Sequence, residues 1–176
     1  MNPAVALSTS PAEPEISIDI RDAHWGGAGF DATVICRTAA SEAIAAAPDT
    51  GGSLEISVVL ADDAFVRDLN RIWRNMDVPT NVLAFPCADD DDTLTPGAER
   101  LLGDVIVAFG TTQREAIDLH VPLAHHFAHL IVHGVLHLLG YDHVDDDDAA
   151  TMEKLEADAL ARMGIANPYE AEAADG

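Results

Sequence analysis

Ile16, Ile18 and Ile20 alternate with polar residues, the two-residue period of a strand with one buried face, and a glycine-rich turn follows at Gly26-Gly27-Ala28-Gly29. Asp31 can cap a helix running to about Ala46, ended by Pro48 and the Gly51-Gly52 turn. Leu54 to Leu60, with Ile56, Val58 and Val59 β-branched, predicts a second strand. From Asp62 to about Asn75 the period becomes helical: Phe65, Leu69, Ile72, Trp73 and Met76 fall on one side, Arg67, Arg71 and Arg74 on the other. Pro79-Thr80-Asn81 turns the chain into a short strand, Val82 to Phe85, that Pro86 stops. Leu101 to Phe109 reads as a largely buried strand carrying Asp104 after Gly103, and Thr111 or Thr112 can cap a short helix to about Leu119. Pro122 suits the first turn of a helix running to Leu139. Beyond an acidic linker, Asp145 to Asp148, a last helix from Ala149 to Met163 turns Met152, Leu155, Ala159 and Leu160 inward as core.

These elements suit one domain, residues 16–169 of the 176, between tails at 1–15 and 170–176 that lack periodicity. No apolar run reaches the length of a membrane span, and the start has neither a basic nor an apolar leader segment, so a cytoplasmic location without membrane contact is expected. Cys36 and Cys87 have no C-x-x-C spacing and read as reduced thiols. The net charge of −22, from 31 acidic against 9 basic residues, predicts long-range repulsion of nucleic acids and anionic membranes. Much of the acid is clustered, in Asp89 to Asp92 and Asp145 to Asp148, as in solvated loops. Against that background the arginine stripe changes the picture. It fits a solvated face with i,i+4 partners such as Asp63 for Arg67, but in so acidic a chain it is also where a phosphate backbone could still be held.

The chemistry concentrates in His133-Gly134-Val135-Leu136-His137-Leu138-Leu139-Gly140-Tyr141-Asp142-His143. On a helix His133 and His137 stand one turn apart on one face, and Gly140 can end that helix in the left-handed conformation and return His143 toward them. Three protein ligands leave a coordination position open, as catalytic zinc sites do. The spacing matches H-E-x-x-H-x-x-G-x-x-H except that Gly134 replaces the glutamate base of those proteases, which disfavours peptide hydrolysis. His126 and His129 share the same helical face; spacing alone fits residues supporting the ligands, substrate contacts and packed core equally.

Leu69-Asn70 with Trp73-Arg74, Asp77 through Pro86, Leu102-Gly103-Asp104, and His129 through His143 together resemble the YbeY family of bacterial endoribonucleases, or rRNA maturation factors, over about residues 16–169. The resemblance implies a zincin-like α+β fold, a small, mostly four-stranded mixed sheet with about five helices. It implies one Zn2+ per chain on His133, His137 and His143, with Arg74 in the same cleft needed for activity. It also implies single-strand-specific cleavage of RNA in 16S rRNA 3′ end maturation and ribosome quality control. The partners implied are rRNA and the small ribosomal subunit, with ribosomal proteins or an Era-type GTPase as further candidates. Asp104 and Asp142 are candidate proton-handling or supporting carboxylates, with structural hydrogen bonding the competing role for each. Two positions depart from the family pattern: Met76 stands where relatives often have lysine, and Ala84 where serine is usual. Both weaken the expected hold on free RNA and favour delivery of substrate by a partner. The competing class of function is a ribosome-assembly binding factor whose metal only stabilises the fold.

Overall fold

The computed structural model describes residues 13–48, 50, 52–88 and 99–170; most of both tails, Gly51 and the acidic run Asp89 to Asp92 lie outside the described residues. Four strands form one mixed sheet: β1 (Glu15–Ile20), β2 (Ser53–Ala61), β3 (Val82–Pro86) and β4 (Glu99–Ala108), in the spatial order β1-β2-β4-β3. β1 with β2 and β2 with β4 pair in parallel, while β3 runs antiparallel along β4. Five α-helices accompany them: α1 (Ala32–Ala46), α2 (Asp63–Arg74), α3 (Phe109–Asp118), α4 (Leu123–Leu138) and α5 (Asp146–Arg162). The expected α+β class, with four strands and five helices, is thus what the chain adopts. None of the described helices is long and apolar enough to cross a membrane.

β2 and β4 lie inside the sheet and carry buried residues on both faces. On one face Ile56, Val58, Leu60, Val105 and Val107 meet Phe127, Ile131 and Val135 of α4 and the small residues Ala39, Ala40 and Ala43 of α1, all in one buried cluster. Alanines at those positions let the helix backbones approach closely. Trp25 also belongs to this core, fully buried in a short 3₁₀ helix (Ala23–Gly27) that runs into the predicted glycine-rich turn. Its indole N–H donates to the Ala61 carbonyl at 3.2 Å, so the polar atom of a buried ring is satisfied. The other face carries a smaller cluster, Ala61, Val66, Leu83, Ile106 and Ala108, beneath α2.

Gly103 is required where it stands. The β2/β4 register slips beside it, its φ is +136°, and a Cβ there would collide with the backbone carbonyl of Phe85 on β3.

Three readings of the pattern differ from the structure. The predicted apolar side of α2 is covered only in its first half: Phe65 and Leu69 are partly buried, beside a fully buried Val66 that the pattern did not single out, but Ile72, Trp73 and Met76 are exposed, Trp73 by 69%. The small cluster beneath α2 ends before its last turn, and the Trp73 ring lies 6.1 Å from that of Phe85. Next, neither threonine caps α3, which begins at Phe109. Asp63 of α2 reaches across to accept from the Thr111 N–H at 2.8 Å, and the Thr112 hydroxyl donates to the Ala108 carbonyl at 2.6 Å. Finally, the acidic stretch predicted as a linker is the start of α5. Asp145 caps it by accepting from the Asp148 N–H, and Asp146 to Asp148 fill the first turn, where carboxylates favour the positive end of the helix dipole. Cys36 is buried and Cys87 exposed, both free; burial pushes the Cys36 thiol up to about 12.

Candidate metal centre

α4 carries His133 and His137 on the face turned toward β3, and its end sends the chain back as predicted. Gly140 has φ +93°, the Gly140 N–H donates to the His137 carbonyl, and the Tyr141 N–H donates to the Leu136 carbonyl, both at 3.0 Å. This turn brings the His143 ring to 5.2 Å from that of His137 and 5.7 Å from that of His133. One ligand atom from each of His133, His137 and His143 lies within 4.8 Å of the others, a group that could hold a metal ion.

The hydrogen bonds fix which nitrogens face inward. His133 Nδ1 lies 2.6 Å from Glu156 Oε1, and His137 Nδ1 lies 2.9 Å from the Tyr141 carbonyl oxygen. A carboxylate and a carbonyl only accept, so each Nδ1 carries the proton and each Nε2 presents a lone pair. The two Nε2 atoms are 3.0 Å apart. Two lone pairs at that distance repel unless a cation or proton lies between them, and the donor set therefore fits a metal. Burial first, then the neighbouring His133, hold the His137 imidazole below its ordinary value and keep it available as a neutral ligand. Burial pushes the Glu156 carboxyl up, but hydrogen bonds from His129 and His133 outweigh it and bring Glu156 down to about 2, so it stays ionised.

The histidines open on a cavity of about 510 Å³ whose walls include Arg74, Asn81, Ala84, Gly134 and Asp142. Arg74 thus comes to the three histidines from the last turn of α2. Its stripe is not uniformly available, because Arg67 forms a two-pronged pair with Asp77, at 2.8 and 3.0 Å, and Arg71 pairs with Asp68. The Asp63 partner predicted for Arg67 is held by Arg114 instead. Among the described residues, Arg74 has neither an ion pair nor a hydrogen bond. Asp142 lines the cavity and accepts from the His143 N–H at 2.8 Å. Asp104 does not. Strand alternation turns Val105 toward α4 and Asp104 to the opposite face, into an apolar groove with Trp73, Phe85 and Ile106.

Gly134 explains the absent protease base in steric terms. A Cβ there would sit 2.7 Å from Val105 Cγ1 and 3.2 Å from Val105 Cγ2, so this face of α4 rests directly on the sheet.

His126 is buried and pairs with Glu115, which also accepts from the Asn81 side chain at 2.9 Å, behind the cavity. His129 reaches Glu156 at 2.9 Å. Glu156 itself escaped the sequence reading, although one signal was there: it interrupts the apolar stripe of Met152, Leu155, Ala159 and Leu160 with a carboxylate at a core position, and it is 1% exposed.

The family model described as Endoribonuclease YbeY matches residues 32–164. A protein named Endoribonuclease YbeY from Paramagnetospirillum magneticum is 54% identical over 156 residues, covering 88% of this chain and 95% of its own. A namesake from Parvibaculum lavamentivorans is 47% identical over 173 residues, covering 96% of this chain and 90% of its own. A solution structure from Thermotoga maritima shares the fold, with a TM-score of 0.50 at 20% identity over 84% of this chain and 91% of the other. With a family match running from the first residue of α1 to the turn after α5, and relatives this similar over most of their length, the chain belongs to the Endoribonuclease YbeY family.

Proposed function

We propose that this protein is a zinc-dependent endoribonuclease that cleaves single-stranded RNA during maturation of small-subunit rRNA, working on the ribosomal subunit in the cytoplasm. The observation that carries the reading is the meeting, on one open cavity, of three convergent imidazoles with the unpaired guanidinium of Arg74. The names of the relatives support the activity, and the basic residue beside a cation-binding group supports a phosphodiester substrate.

Three imidazoles suit zinc, which His133, His137 and His143 would hold. Bound there, zinc would polarise a phosphoryl oxygen or activate water. Arg74 is assigned to hold the phosphate and to stabilise charge as it builds on the phosphoryl oxygens. Asp142, on the cavity wall beside His143, is the carboxylate assigned to proton handling; Asp104, on the other face of the sheet, takes no part. The openness of the cleft suits an unpaired strand, whose backbone can bend to the metal. Purified wild-type, His133→Ala and Arg74→Glu proteins should be compared on a single-stranded RNA with contaminating nuclease excluded. The wild type should cleave it and spare a duplex of the same sequence, and each variant should lose about a hundredfold or more in rate. Equal cleavage by all three would sink the enzymatic reading. Loss of ribosome association without loss of cutting would favour a binding factor.

A further inference from the structure

We infer that Glu156 is a positioning residue for the metal centre: its buried carboxylate holds His133 with the proton on Nδ1 and supplies the negative charge that balances a cation bound at Nε2. The inference rests on the metal reading of the three histidines proposed above.

Both carboxylate oxygens are committed. Oε1 accepts from His133 Nδ1 at 2.6 Å; Oε2 accepts from His129 Nε2 at 2.9 Å and from the Tyr169 hydroxyl. The residue is 1% exposed and, among the described residues, pairs with no lysine or arginine. A buried carboxylate without a fixed cation is costly, and removing it from water is offset here only by imidazoles and a hydroxyl. One of those imidazoles is a proposed ligand. Positive charge placed on His133 Nε2 is therefore felt at Glu156 through one ring, which raises the ligand's basicity as well as fixing its orientation. The two ligands of α4 differ in this respect, since His137 is held by the neutral Tyr141 carbonyl. His129, one turn before His133 on α4, and Tyr169, beyond α5, act through Glu156: they fix the carboxylate that fixes the ligand. α5 and the segment after it thus belong to the metal site although neither lines the cavity.

The test is Zn2+ affinity of the full chain, read by competition with a chromophoric chelator, for wild type and Glu156→Gln. The substitution keeps the side-chain volume and an oxygen for His133 Nδ1 but removes the charge. The variant should bind Zn2+ about 10- to 100-fold more weakly while its melting in excess chelator shows a folded protein. Wild-type affinity in a folded variant overturns the inference. Because Glu156→Gln could fail to fold, the His133 tautomer is also read on metal-free wild type by imidazole ¹⁵N shifts. An Nδ1–H tautomer is expected, and an Nε2–H tautomer overturns the inference. Neither readout uses RNA, so an inactive wild type that binds Zn2+ would sink the nuclease reading alone. A wild type that binds no Zn2+ would remove the ground for both.

Discussion

Gly134 is the point at which a likeness to zinc proteases and the packing of this fold come apart. In the protease signature that position carries the base, yet here the helix rests on Val105 with no room for a side chain. Replacing Gly134 with glutamate restores the motif on paper. It must also displace Val105 from the core, an overpacking cost of about 1–3 kcal/mol, more than the ~0.5 kcal/mol helix preference gained over glycine. Gly134→Glu is therefore expected to lower the denaturant midpoint and to confer no peptide hydrolysis. An unchanged midpoint would show that Val105 moves aside freely. The same contact shows why this residue's role was only half legible: its mismatch with the signature is visible in the sequence, but the valine that enforces it lies on a strand some thirty residues earlier.

At the scale of elements, α2 shows what periodicity resolves and what it leaves open. The helix and the grouping of its arginines are local and readable. Which arginine is free is decided by Asp68, which pairs with Arg71 within the helix, and by Asp77, which the turn after the helix brings to Arg67. Arg74→Ala should therefore weaken single-stranded RNA binding and cleavage, while Arg67→Ala, which removes a cation already paired with Asp77, should change them little. Equal losses from both, measured by titration and by single-turnover cleavage, would mean that the stripe acts as a whole. The bond from α2 to α3 is similarly hidden from a local reading, since Asp63 meets Thr111 and Arg114 far along the chain. Partial burial raises the Asp63 carboxyl, but hydrogen bonds from Arg114 and Thr111 lower it further, and the net direction is down. A carboxyl depressed in the folded state adds stability above its ordinary value near ~3.8 and loses it as the pH falls through the folded value. The stability difference between wild type and Asp63→Asn should accordingly be full at neutral pH and shrink below about pH 4. A difference that stays constant down to acid unfolding would show that the charge on Asp63 contributes nothing. The histidine triad belongs to the readable part, because His133, His137, Gly140 and His143 are bound by helix geometry within eleven residues. Glu156 belongs to the other part, because only the docking of α5 against α4 makes it a neighbour of His133.

Across the whole molecule the net charge of −22 opposes approach of any polyanion, and within the described residues the cleft offsets it with Arg74 alone among the arginines of α2. Affinity for a single strand depends on salt through the counterions that phosphate contacts release, with a slope of roughly −0.7 per contact. A cleft that holds one phosphate through Arg74 should lose only about two- to threefold in affinity for a short unpaired RNA between 50 and 200 mM salt, where six or more contacts would cost on the order of a hundredfold or more. Screening of the surrounding acid flattens the dependence further, since added salt weakens repulsion as well as attraction. Fluorescence titration of the purified protein across that range should therefore give weak binding with a shallow slope, and Arg74→Ala should remove most of what slope remains. Tight binding with a steep slope would mean that a basic surface beyond the cleft holds the strand. The shallow result instead assigns affinity to the ribosomal partner proposed to present the RNA, and leaves to the cleft the local task of holding one phosphate beside the three histidines.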